Sequence, residues 1–466
     1  MSGARKIDMT NCSIWRTIPR FALPVAATAI LEQLFNASDI AVVGNFTGPL
    51  KTASVAAVGA NSAIIALIVN LFVGISLGAN VVIANAVGRR DDEAVRKAVH
   101  TSVVISVLGG IFVGALGEIF AVPLGEIFAV PLLHLLNVPD DVFPLALVYL
   151  RIYLLGLPVI LLYNFESAIF RSVGETKSPL SALVFSGILN VVLNLFFVAV
   201  LKMNVNGVAV ATVISNAVSA ALLFRKLVKS NLAIRVDLRK LRIDSAILAQ
   251  ILRIGLPAGI QGAVFAVSNI VIQSAINSLG TVVMAASSAA YNIEVMTYYL
   301  LNSFAQACTT FVGQNFGAGK MDRCKKTLVL CLLEGVLALS AAIGFVLGFG
   351  ENLISLFNRE PEVVRIGYTR LMIVMSSHFF SMFYEVMSGY LRGFGISLSP
   401  ALLTMAGVCG VRITWIELVF PKNRTFQTIM TAYPVSLAAT TLLILILLLV
   451  FRPSNRFKNG FSTTKN

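Results

Sequence analysis

Arg171–Pro179 reads RSVGETKSP, and Arg392–Pro400 reads RGFGISLSP. Arginine, glycine, serine and proline recur at matching places, and Tyr163 and Ser167 upstream have counterparts in Tyr384 and Ser388. All lie 221 residues apart (171 to 392). A second pair precedes it: NAVGRRDDEAVRKAV (Asn85–Val99) and QNFGAGKMDRCKKTL (Gln314–Leu328), each a glycine turn followed by a basic helix start. A third opens each half, IPRFALP (Ile18–Pro24) and ILRIGLP (Ile251–Pro257). The chain is therefore one long pattern written twice, in parallel order.

What is repeated is membrane-spanning. Of the 466 residues 57% are hydrophobic and only 12% charged, against about 25% charged in soluble domains. Apolar runs of about 20 residues, the length that crosses a bilayer as a helix, recur along the chain; 103–119, 180–201, 329–350 and 429–451 are clear cases. The short alternating strands of a membrane barrel are not seen. The pattern predicts an all-α polytopic membrane protein with twelve transmembrane helices, over 17–45, 54–83, 98–121, 143–166, 179–201, 206–224, 247–277, 281–312, 327–349, 365–390, 398–419 and 426–451. These form two pseudo-symmetric six-helix bundles, 17–224 and 247–451. A tail at 1–16, a basic linker at 225–246 and a second tail at 452–466 complete the chain, all expected in the cytoplasm. The +14 net charge then follows from the excess of Lys and Arg in cytoplasmic loops. It points to lipid head groups rather than nucleic acid. The N-terminal MSGARKIDMTNCS reads as a retained tail, since no small-residue cleavage site follows.

The repeat is uneven in one place. Between the glycine turn (88 to 317) and RSVGETKSP (171 to 392) the offset shortens by eight residues. Eight is the length of LGEIFAVP, which stands twice in tandem from Leu116 to Pro131. The first half carries one octapeptide too many. Within a packed helix it would add about 12 Å and turn the following residues off their faces, so it is expected at the external end of the third span, where Pro123 and Pro131 interrupt helix.

Two similar bundles in series are an arrangement found in secondary transporters. At the residue level the chain resembles the multidrug and toxic compound extrusion (MATE) family. The similarity runs from about Ile18 to Phe451, carried by VGQNFGAG (Val312–Gly319), RSVGETKSP, FNASDIAVVG (Phe35–Gly44) and GVRITW (Gly410–Trp415). The resemblance implies an antiporter that exports cationic or amphipathic organic compounds in exchange for Na⁺ or H⁺, with two lobes alternating access to a cavity.

Ionisable groups inside spans are costly and mark function by default. Asp39 lies well inside the first span, at the position of the family's first-helix aspartate, and Glu32 lies seven residues earlier on a similar helical face. Asn190 and Asn194 sit one turn apart on the fifth span. The resemblance implies that Asp39, these two positions and Thr212 build a cation-coupling site in the first lobe. The family often has aspartate where this chain has Asn194, so the choice between Na⁺ and H⁺ stays open. In the second lobe, Glu294 with Tyr298, and Glu385 with Tyr384 and Phe383, are candidate cargo-binding residues, since a carboxylate beside aromatic rings suits a lipophilic cation. Glu166 is expected to pair with Arg171, and Arg171 and Arg392 to close turns.

No further cofactor is expected. His100, His134 and His378 are isolated, the five cysteines lack metal or disulfide spacing, and no phosphate-binding GxxxxGK[ST] loop implies a nucleotide. The partners expected are small organic cations and membrane lipids, with a functional monomer in the cell membrane. A flippase for lipids or lipid-linked saccharides would instead need a basic cavity, whereas the intramembrane ionisable groups read as mainly acidic. An intramembrane enzyme would need clustered acids for Mg²⁺ or a His/Ser constellation, and the sequence has neither.

Overall fold

The computed structural model describes residues 8–119 and 142–457. Each expected span has a helix among the described residues: α1 Ile14–Phe46, α2 Lys51–Arg89, α3 Asp92–Ile119, α4 Phe143–Ser172, α5 Lys177–Asn194, α6 Asn204–Val228, α7 Ser245–Asn277, α8 Thr281–Gly317, α9 Met321–Ser355, α10 Pro361–Gly393, α11 and α12 Phe426–Phe451. α5 runs on into a π turn at Leu195–Val200, and α11 is Leu398–Thr404, a π turn at Met405–Gly410, and Val411–Leu418. No strand occurs among the described residues. The chain is a multi-pass membrane protein. Ten of these helices are long and apolar enough to cross a bilayer. The two outside that set, α8 and α10, carry Glu294, Arg370, His378 and Glu385, which lower their mean hydropathy without shortening them.

The repeated stretches have the same backbone. After α4, Gly174 takes φ 82°, Gly174 N donates to Arg171 O at 2.9 Å, and Glu175 N reaches back to Phe170 O at 3.0 Å. After α10, Gly395 also takes φ 82°, Gly395 N donates to Arg392 O at 2.8 Å, and Ile396 N reaches Leu391 O at 3.1 Å. Both are left-handed helix ends, where glycine avoids the Cβ clash. The other landmark repeats similarly. Gly319 has φ 71° before α9, and its counterpart before α3 is Arg90 with φ 59°.

Contacts divide the chain into two units. The first comprises Ala27–Ile83 and Asp91–Leu252. Its apolar core gathers Val42, Val43, Ala57, Leu150, Leu154, Val205 and Val208. The 225–246 segment packs onto this unit: Asp237 N donates to His100 Nε2 at 3.1 Å and Asp244 N to Thr101 Oγ1 at 3.0 Å, both acceptors lying on α3. The second unit holds 253–457 together with 8–26 and Ala84–Arg90. Met9, Ile18 and Phe21 are fully buried there against α8, α9 and α10. The polar chain before α1 is held as well: Asn315 Nδ2 donates to Met9 O, Arg323 Nη2 to Met9 O and Cys12 O, and Lys320 Nζ to Thr10 O. The end of α2 meets the end of α8 almost backbone to backbone. A Cβ on Gly88 would come 2.0 Å from Gln314 O, and one on Gly317 would come 2.1 Å from Asn85 O. These are the paired glycines of the two halves. The doubled octapeptide, expected at the external end of α3, lies almost wholly outside the described residues.

Candidate coupling and cargo sites

Asp39 sits on α1, and only 6% of its surface is accessible. Its carboxylate accepts from Asn194 Nδ2 at 2.5 Å and from Thr212 Oγ1 at 3.2 Å. Asn194 Nδ2 also donates to Asn190 Oδ1 at 3.1 Å, and Asn190 Nδ2 reaches Thr212 Oγ1 at 3.5 Å. One turn of α5 between Asn190 and Asn194 puts both amides on one face, and α6 supplies Thr212. Four of the five first-lobe candidates thus form one hydrogen-bonded group, with Asn194 Oδ1 buried and unpartnered. The donor set is all oxygen and amide, with one carboxylate, which suits a hard monovalent cation or a proton.

Glu32 is not in that group. It is exposed and makes no hydrogen bond to Asp39. Its electrostatic partners are Arg171 and Tyr163. Tyr153 lies within electrostatic reach of both acids and stacks on Tyr149, ring centroids 6.5 Å apart. The i, i+4 spacing of the tyrosines in YLRIY (Tyr149–Tyr153) is the sequence signal for this aromatic pair. Glu166 does not pair with Arg171. It is fully buried with neither carboxylate oxygen partnered, because it points off the face that Arg171 uses five residues on.

In the second unit the two candidate cargo-site acids, Glu294 and Glu385, are already matched, whereas Glu334 is buried with neither carboxylate oxygen partnered. Arg370 Nε donates to Glu294 Oε2 at 2.9 Å and Arg370 Nη1 to Ser287 Oγ at 2.6 Å. Glu385 accepts from Tyr298 OH at 3.2 Å and pairs with Arg392 at 3.5 Å. Arg392, expected only to close a turn, therefore reaches back two helical turns to a buried acid. Tyr384 is buried within electrostatic reach of Glu385, whereas Phe383 is 38% exposed and stands apart from that cluster. The spans are also less acidic than they read. Arg370 is 3% and Arg412 8% accessible, both within helices. The signal was present: an arginine in YTRLMIVM (Tyr368–Met375) and one in GVRITW, each inside an apolar run. A groove of about 300 Å³ along α11 is lined by Ala406, Gly410, Val411, Thr414, Trp415, Leu418 and Val419, none of them a candidate.

Comparison with known proteins agrees with this architecture. The MatE family profile matches residues 24–196 and 257–415, one match in each half. The probable multidrug resistance protein YoeA of Bacillus subtilis is 26% identical over 453 residues, covering 93% of each chain. The probable multidrug resistance protein NorM of Thermotoga maritima is 25% identical over 411 residues, covering 86% of this chain and 84% of that one. Among solved structures, an outward-facing multidrug resistance MATE transporter superposes with a TM-score of 0.86 at 20% identity, covering 98% of this chain and all of the other. With both halves matched and the repeat geometry in place, this chain belongs to the MatE family of membrane transporters.

Proposed function

We propose that the chain is a secondary antiporter of the cell membrane. It exports cationic or amphipathic organic compounds, drugs and toxins among them, in exchange for Na⁺ or H⁺ by alternating access. Both termini and the 225–246 segment face the cytoplasm, and one copy suffices. Family membership and the multidrug resistance relatives support drug and toxin export. One observation carries the coupling: Asp39 is a buried carboxylate held only by neutral donors, Asn194 and Thr212. Such a carboxylate has no permanent counter-charge, and an arriving cation or proton supplies one. With the Asn194 amide turned, its Oδ1 faces that cation or accepts from the protonated acid. Binding therefore exchanges one set of hydrogen bonds for another, and the two occupancies can favour different arrangements of α1, α5 and α6.

The test is uptake of ethidium into proteoliposomes under an imposed pH gradient, then under a Na⁺ gradient. Movement driven by one gradient in the wild type, and by neither in Asp39→Asn, is the expected result. A correctly folded wild type that moves dye under neither gradient would overturn the antiporter assignment.

A further inference from the structure

The second unit contains a buried positive charge with no partner of opposite sign among the described residues. Arg412 is 8% accessible. Its Nε donates to Ser436 Oγ at 3.0 Å, and its guanidinium lies 4.2 Å from the centre of the Tyr433 ring. No carboxylate lies within ion-pairing distance among the described residues. Its two terminal nitrogens have no hydrogen-bond acceptor there, nor are they sealed from solvent. The neighbouring charges leave nothing to spare: Glu294 is bound to Arg370, and Glu385 to Arg392. Arg370 faces the same tyrosine, 5.8 Å from its ring centre. Tyr433 is thus contacted by two guanidiniums against one acid. His378 lies within electrostatic reach of Glu294, Arg370 and Arg412, is 5% accessible, and has both ring nitrogens without a partner.

A buried acid can shed such a cost by taking up a proton. Arginine has no such escape, because it stays protonated in proteins. Among the described residues nothing meets this charge, and a planar fork with two open ends fits a planar or tetrahedral anion through paired hydrogen bonds.

We propose that Arg412, backed by Tyr433 and His378, is a binding site for the anionic group of a ligand: a carboxylate, sulfonate or phosphate on an aromatic or aliphatic body. This deepens the transport reading and rests on it for its use, since it extends the cargo from cations to amphiphiles that also carry a negative group. The anion can arrive on a soluble cargo or on a lipid head group.

The test is fluorescence anisotropy on the purified full chain in non-ionic detergent. The probes are fluorescein, an anionic dye, and rhodamine 6G, a cationic dye with the same three-ring body. Wild type is expected to bind fluorescein, and Arg412→Gln to weaken that binding about tenfold or more, the scale of a lost charge-assisted hydrogen bond. Rhodamine 6G binding is expected to hold. Ser436→Asp sets a carboxylate beside the guanidinium, leaves Arg412 in place, and is expected to weaken fluorescein to a similar degree. Thermal unfolding checks each variant's fold, and Ser436→Asp decides should Arg412→Gln not fold. Short-chain phosphatidylglycerol titrated against bound fluorescein separates the two sources: displacement assigns a lipid head group, and its absence a soluble cargo. The proposal is overturned if wild type does not bind fluorescein, or if both folded variants bind it as tightly as wild type. The measurement uses no ion gradient, so a failure of transport does not register in it.

Discussion

Arg370 and Glu294 form an ion pair of 2.9 Å between α10 and α8, with side chains only 3% and 9% accessible. Breaking it from one side strands a charge in the interior. Glu294→Gln or Arg370→Met should each cost about 3–5 kcal/mol, read as a lowered unfolding midpoint in detergent. The double variant Glu294→Gln with Arg370→Met should recover much of that loss. Additive losses would show that the pair is not the source of the effect.

Asp39→Asn should separate folding from transport. The amide keeps the carboxylate's shape while removing a buried charge whose desolvation is compensated only by neutral donors. Stability should therefore stay within about 1 kcal/mol of wild type or rise, while gradient-driven dye movement disappears. A large loss of stability would assign Asp39 a structural part instead.

Gly88→Ala and Gly317→Ala each place a methyl about 2 Å from a facing carbonyl oxygen. Backbone, not a flexible side chain, would have to yield. Each should cost about 1–3 kcal/mol through overpacking, with transport reduced. Gly59→Ala, with nothing within 4 Å of the added carbon, is the control and should change neither stability nor transport.

The left-handed residues before α3 and α9 give an opposing pair of expectations. Gly319→Ala should destabilise by about 1–2 kcal/mol, because a side chain at φ 71° is strained. Arg90 already carries that strain at φ 59°. Arg90→Gly should be near neutral, the strain relieved being offset by a more flexible unfolded chain. Unfolding midpoints check both, and equal losses at the two sites would contradict the shared geometry.

Ahead of α1, Asp8 accepts from the backbone and side chains of Thr10 and Asn11. Slight burial pushes its carboxyl up, but these hydrogen bonds outweigh it and hold the group below the ordinary 3.8. A depressed carboxyl contributes stability above its unfolded value and loses it as pH falls through the folded one. Protection of the 8–13 segment from proteolysis should therefore persist at neutral pH and fall as pH drops below about 4. Asp8→Asn should lose the pH dependence. Arg323→Ala should raise cleavage at neutral pH, by releasing Met9 O and Cys12 O.

The helices were legible because length and apolar runs are local properties, and so were the repeats, whose turns need glycine or a left-handed residue at fixed places. The grouping of Asp39 with Asn190, Asn194 and Thr212 came from resemblance and spacing together. What the sequence concealed was pairing across helices. Glu294 reads as an open carboxylate until α10 brings Arg370 against it, some 76 residues away in the chain. Helical periodicity put Glu32 on a face with Asp39, yet seven residues carry it two turns away, beyond hydrogen-bond reach. Arg412 was read as part of a family motif, and only its surroundings reveal that it lacks an acid.

The π turns in α5 and α11 make these two helices tolerant of a shorter chain at those places. A π turn holds one residue more than the α turn it replaces, so losing one residue there restores regular winding and leaves the residues beyond it on the same faces. In α11 Arg412 lies beyond the turn and would stay on Tyr433, and in α5 Asn190 and Asn194 lie before it and would stay on Asp39. A single-codon deletion within Met405–Gly410 or Leu195–Val200 should thus leave ligand selectivity and ion exchange largely intact, whereas one between Asn190 and Asn194, in regular winding, would swing one amide about 100° from the other and undo the exchange.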